Sequence, residues 1–143
     1  MMLSDVMAKI LLVSRDRKIG SELAGEFERT GHELRWCPGP GAPVYVCAAG
    51  RGGRCALSRE TDVVVLDGWL ASDEVRQGLP SWHLLLYYRG LGIPVVFLEG
   101  PDGLPHHMLD RGVVALPRRS PPLAVAAAIE SVLTCPARED GAA

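Results

Sequence analysis

The chain has 143 residues, 48% of them hydrophobic, and a formal net charge of −2 at pH 7. At this length a single fold buries roughly two thirds of the surface its unfolded chain exposes, so neither a disulfide nor a metal is required to hold a core. The slightly acidic balance excludes the strongly basic face of a nucleic-acid or membrane-surface protein, because the one basic cluster, Arg118-Arg119 with Arg111 nearby, is short.

Met1 to Met7 carries no positively charged leader region, and the apolar run after Lys9 extends only from Ile10 to Val13. The expectation is no signal peptide, no membrane span and a cytoplasmic location. Lys9-Ile10-Leu11-Leu12-Val13 is a continuous leucine and β-branched run, the mark of a central strand covered on both faces. After Asp16, residues Lys18 to Thr30 space Ile19, Leu23 and Phe27 four apart, with Ala24 on the same stripe and Gly31 at the C-terminal cap position. That spacing predicts an amphipathic helix. Glu33-Leu34-Arg35-Trp36-Cys37 alternates as a shorter, more exposed strand. From Pro38 to Arg54 glycine and proline rule out regular helix, so residues 37–60 are expected to form an irregular insert, with a brief helical turn at Ala56 to Arg59.

Asp62-Val63-Val64-Val65-Leu66-Asp67 is the most informative segment, a buried strand that ends in a carboxylate and is followed at once by Gly68. Ser72 is placed to cap a helix through Arg76 that Pro80 interrupts, and Ser81 to Arg89 reads as a second helical stretch. Ile93-Pro94-Val95-Val96-Phe97-Leu98 is another buried strand, with proline tolerated at its start. Pro105 to Asp110 is a short helix candidate and Val113-Val114-Ala115-Leu116 the last strand. Ser120-Pro121-Pro122 supplies a cap and first turn for a helix from Leu123 to Leu133. Residues 135–143 are small and polar, a flexible tail that leaves 1–134 as one domain.

Strands alternating with helices, without repeats, predict a three-layer α/β/α domain. Its five-stranded parallel sheet takes the flavodoxin-like order 2-1-3-4-5, with right-handed crossovers. Such sheets gather their working residues beyond the carboxyl ends of the strands. In this chain those are Ser14-Arg15-Asp16, Asp67-Gly68-Trp69, Glu99-Gly100 and Leu116-Pro117.

The strand-one turn at Ser14-Arg15-Asp16, the strand-three Asp67, the Ile93-Pro94-Val95-Val96 strand and Pro117 after strand five follow one another in a known order. In this the chain resembles the receiver domain of bacterial two-component response regulators from Lys9 to Leu133. The resemblance implies that Asp67 is the phosphoacceptor-type aspartate. It also implies two acids after strand one that hold magnesium, a serine or threonine after strand four for a phosphoryl oxygen, and a lysine before the strand-five proline. In this chain those positions hold Ser14 and Arg15, Glu99, and Leu116; of the set only Asp67 is kept.

Phosphoryl transfer depends on metal and cation placement around charge spread over the phosphoryl oxygens, so an atypical, degenerate receiver of this kind is expected to be slow in any phosphorelay. Asp67 and Asp16 beside a guanidinium and a further carboxylate make a poor magnesium site. Arg15 is expected to take the cation's place at Asp67, where an adjacent arginine lowers a carboxylate pKa by about 1–3 units. Glu99 is either a loop carboxylate or a partner for Arg15. The plain alternative for Asp67 is a turn carboxylate that accepts backbone hydrogen bonds.

Cys37, Cys47 and Cys55 fall within the insert, which the resemblance does not explain. Two readings stay open: reduced, scattered thiols in a reducing compartment, or a zinc or iron centre completed by His32 or Cys135. No pair has the Cys-x-x-Cys arrangement that makes metal assignments strong. Gly50-Arg51-Gly52-Gly53-Arg54 lacks the preceding strand and following Lys-Ser or Lys-Thr of a phosphate loop. His106 and His107 are adjacent and diverge on a helix. Trp82, Leu85, Leu86 and Tyr88 make the Ser81 to Arg89 stretch apolar around more than one face. One stripe suffices for packing, and the excess, with Trp69 at the functional edge, predicts a docking or homodimer surface.

These features point to a non-enzymatic regulatory module that presents the Asp67 edge to another regulatory protein, with no resident cofactor and no direct nucleic-acid or membrane partner. Thiol or metal sensing at the cysteine loop is the alternative. A small-molecule enzyme is a third class, since fold does not fix function.

Overall fold

The apolar runs become the strands of one sheet: β1 (Lys9–Val13), β2 (Glu33–Cys37), β3 (Val63–Asp67), β4 (Val95–Leu98) and β5 (Val113–Leu116). The structure is a computed structural model and describes residues 7–14, 16–37, 60–68, 81–100 and 112–134. All pairings are parallel and the order is β2-β1-β3-β4-β5, the flavodoxin-like order expected. Among the described residues the helices are α1 (Arg17–Thr30), α2 (Ser81–Gly90) and α3 (Pro122–Thr134). The Ala56 to Arg59 turn, the Ser72 to Arg76 and Pro105 to Asp110 helices and the 135–143 tail lie outside the described residues.

Side chains alternate across a strand with a period of two, and the sheet divides its apolar residues accordingly. Leu11, Val13, Val64, Leu66, Val95 and Phe97 face one way and pack with Leu85 and Tyr88 of α2. Ile10, Leu12, Val63, Val65, Val96 and Leu98 face the other way, against Leu23 and Phe27 of α1 and Val125, Ile129 and Val132 of α3. A parallel sheet covered on both faces needs the continuous apolar runs that β1 and β3 carry. Each fully buried residue of this kind contributes about 1.5–3 kcal/mol.

α1 begins on Asp16, whose carboxylate caps the amides of Lys18 and Ile19, and ends on Gly31 at φ 88°, a left-handed position that glycine adopts without strain. Its buried stripe is Gly20, Leu23 and Phe27; Ala24, expected on that stripe, is exposed. β4 is shorter than the run from Ile93 to Leu98 because Pro94 has no amide to donate, although its carbonyl still accepts from Val64 at 3.0 Å.

Tyr88 is only 1% exposed and fills the core against β3 and β4, whereas Leu86 of the same helix is 50% exposed. The contact-surface role expected of Tyr88 therefore gives way to core packing. Trp69 and the side chain of Trp82 lie outside the described residues. Among the described residues no helix is long and apolar enough to cross a membrane.

Candidate functional site

The carboxyl ends of β1 and β3 lie side by side, with Val13 in register with Leu66. The next position along each strand is therefore brought to the same rim, and among the described residues the polar side chains buried there are those of Ser14 and Asp67, 0% and 2% exposed. Ser14 Oγ donates to Asp67 Oδ2 at 2.8 Å and accepts from the amide of Asp16 at 3.0 Å. The Ser14 amide donates to the Cys37 carbonyl at 3.0 Å, and its own carbonyl accepts the indole N–H of Trp36 at 2.7 Å. The hydroxyl is thus aimed at Asp67 by four bonds around one residue, as burial of polar groups requires.

The second carboxylate is Asp16. Its Oδ1 caps α1, accepting from Lys18 and Ile19 at 2.9 and 3.3 Å, which leaves Oδ2 turned toward the sheet rim. Arg118 meets it there. The turn Pro117-Arg118-Arg119-Ser120, closed by the Ser120 amide and hydroxyl on the Pro117 carbonyl at 3.0 and 2.7 Å, carries the guanidinium to the mouth of β3. Arg118 Nη2 donates to Asp16 Oδ2 at 2.9 Å and to Asp67 Oδ2 at 3.3 Å, while Nε lies 3.3 Å from Asp67 Oδ1. One guanidinium spans two carboxylates, using the planar fork that suits arginine to paired oxyanions.

The electrostatics follow. Partial burial works against ionisation of Asp16, but the Arg118 hydrogen bond, the Ile19 and Lys18 amides and the Arg118 charge outweigh it and hold the carboxyl below its usual range. Partial burial likewise opposes the charge on Arg118. The hydrogen bonds and charges of Asp67 and then Asp16 prevail and raise its pKa further.

Behind Asp67 the β3–β4 mouth is tightly closed. The Gly68 amide donates to the Leu98 carbonyl at 2.7 Å, and a Cβ at Gly68 would stand 2.6 Å from the Gly100 nitrogen and the Leu98 oxygen. Only glycine fits this approach.

Of the residues expected at the site, the fold brings Ser14, Asp16 and Asp67 together. Arg15, expected as the counter-ion, lies outside the described residues; among the described residues Arg118 brings a guanidinium to Asp67. Glu99 is exposed, with its amide on the Leu116 carbonyl at 2.8 Å. Leu116 packs with the core on the α1 and α3 side, and Pro117 is exposed at the head of the Arg118 turn. Cys37 is buried in the core at the end of β2, and His32 Nδ1 accepts the Ala8 amide at 3.0 Å. Cys47, Cys55 and Cys135 lie outside the described residues. Among the described residues no three His, Cys, Asp or Glu side chains are grouped as metal ligands.

Sequence reasoning missed Arg118 and Trp36. The available signal for Arg118 was its place two residues after Leu116, on the loop where the receiver pattern puts its lysine.

Magnesium asks for near-octahedral oxygen donors. This rim offers Asp67, a serine where the pattern has an acid, and an Asp16 already turned to Arg118. With the guanidinium in place a divalent ion would meet a positive charge among these donors.

No protein-family profile and no curated protein matches the chain. Solved structures do. A CheY-like response regulator receiver domain protein from Methanospirillum hungatei JF-1 is similar with TM-score 0.63 and 16% identity, over 93% of this chain and 98% of that one. A two-component response regulator from Clostridium difficile is similar with TM-score 0.61 and 19% identity, over 90% and 98%. NtrX from Brucella abortus is similar with TM-score 0.65 and 22% identity over 96% of this chain, which spans only 29% of that protein. At these identities the likeness shows the fold: a five-stranded, receiver-like sheet in the order observed.

Proposed function

We propose that this receiver-fold chain is a non-enzymatic regulatory module that works by presenting the rim around Asp67 to a protein partner, with an internal guanidinium in the place of metal and phosphoryl group. The observation that carries the reading is Arg118 bridging Asp67 and Asp16. The receiver domains and response regulators among its structural neighbours support a signalling role.

A phosphoacceptor aspartate must offer a carboxylate oxygen for in-line attack while cations neutralise the moving phosphoryl charge. In this rim both Asp67 oxygens face Arg118, and Oδ2 also takes the Ser14 hydroxyl. The arrangement resembles a switch held in one state by its own side chains. In this reading the protein acts in the cytoplasm, carries no resident cofactor and touches its target directly. Incubation with acetyl phosphate and magnesium, followed by intact mass, tests it. No phosphoryl adduct is expected; a stable adduct that Asp67→Asn abolishes overturns the reading.

A further inference from the structure

Beside this rim, between α1 and the start of α3, the surface opens into a cleft of about 440 Å³. Its floor is apolar, built from Ile19 and Leu23 of α1, Leu98 at the end of β4 and Val125 of α3. Leu23, Leu98 and Val125 are 3%, 1% and 2% exposed, so the floor is the outer margin of the core that these residues help to form, with Ile19 the most open of the four. Lys18, Glu22 and Arg119 stand at the rim, and the Asp16–Arg118 pair makes one wall. Three cations against two carboxylates leave the lining with one net positive charge. Asp16 is already engaged by Arg118 and two amides, and Arg118 by Asp16 and Asp67, so the charges left to a ligand are those of Lys18, Arg119 and Glu22. The first turn of α3, which borders the cleft, holds no acidic residue.

A volume of this size matches the roughly 300–1,000 Å³ of small-molecule sites rather than the broad surface that a protein partner covers. An apolar floor with a positive rim selects a ligand with the complementary halves. We propose that this cleft binds a small organic anion, its apolar body on Ile19, Leu23 and Val125 and its carboxylate or phosphate held by Lys18 and Arg119. Arg118 couples the cleft to the rim, because an oxyanion bound beside it competes with Asp67 and Asp16 for the same guanidinium. Ligand occupancy, in place of phosphorylation, then sets the state of the Asp67 edge. This regulatory consequence rests on the proposed function above, whereas the binding itself does not.

The probe is 8-anilinonaphthalene-1-sulfonate, an apolar body with one anionic group, titrated into the full chain while backbone amide resonances are followed. Saturable shifts are expected at the amides of Ile19, Leu23 and Val125. Reversing both rim charges in the double variant Lys18→Glu, Arg119→Glu should weaken binding by about tenfold or more, and Glu22→Lys should tighten it. These three positions are exposed, and the same spectra report whether each variant is folded. Shifts centred elsewhere, unchanged affinity in the folded double variant, or equal binding of the uncharged N-phenyl-1-naphthylamine would overturn the proposal. Acetyl phosphate labelling of Asp67 would remove the regulatory reading and leave the cleft standing, so the two failures are distinguishable.

Discussion

Arg118 and Asp67 are 51 residues apart, yet the guanidinium of the first lies along the carboxylate of the second, with Nε 3.3 Å from Oδ1 and Nη2 3.3 Å from Oδ2. Asp67 is nearly fully buried, while the Arg118 side chain keeps 26% of its surface exposed. The pair therefore sits between a surface ion pair, worth about 0–1 kcal/mol, and a buried one, whose breakage costs about 3–5 kcal/mol.

Arg118→Ala takes the guanidinium away from a carboxylate that is nearly fully buried. We expect a loss of about 1–3 kcal/mol in urea unfolding, intermediate between those limits. Arg118→Lys should recover only part of it, because an ammonium cannot span two carboxylates as a fork does. A neutral Arg118→Ala would show that the guanidinium is not needed where it lies.

The Asp16 carboxyl ionises below its ordinary 3.8 in the folded chain, since Arg118 and the α1 amides outweigh the opposing effect of burial. Its folded value lies below its unfolded one, so the stabilisation is present in full above the unfolded value and is lost as pH falls through the folded one. Asp16→Asn should flatten the stability profile below about pH 4 and leave a uniform loss of about 1 kcal/mol above it, from the weakened cap and ion pair. A profile as steep as that of the parent chain would refute this.

Trp36 and Gly20 are coupled. A Cβ at Gly20 would overlap the Trp36 ring, whose indole N–H holds the Ser14 carbonyl. Gly20→Ala should therefore destabilise the parent chain, by about 1 kcal/mol through the displaced ring and hydrogen bond. In a Trp36→Ala background the same change should stabilise by about 0.5–1 kcal/mol, the ordinary preference of a helix interior for alanine over glycine. The reversal of sign in a double-mutant cycle is the test.

Most of the fold was legible because its signals are local. β3 is wholly buried and reads as an unbroken apolar run, and α1 carries its four-residue spacing with Gly31 at the cap. Arg118 was not legible in the same way: its bond to Asp16 joins residues 102 apart and exists only because β5 and α3 close the sheet beside α1. Tyr88 shows the same limit from the other side. Its helix is apolar around more than one face, and only the packing of α2 on β3 and β4 decides that Tyr88 turns inward and Leu86 outward.

Giving the rim a second acid and removing the Arg118 guanidinium should open it to magnesium. Ser14→Asp with Arg118→Ala puts a second carboxylate at the mouth of β1 and takes away the competing cation. Magnesium should then raise the melting temperature of the double variant and leave that of the parent chain unchanged. Equal responses in the two proteins would count against the assigned roles of Ser14 and Arg118.

The central claim is that Arg118 bridges Asp67 and Asp16. A crystal structure grown with magnesium and beryllofluoride examines it directly. The account predicts Arg118 within hydrogen-bonding distance of both Asp67 and Asp16 and no beryllofluoride on Asp67. A magnesium ion chelated by Asp67 and Asp16, with Arg118 swung away, would contradict it.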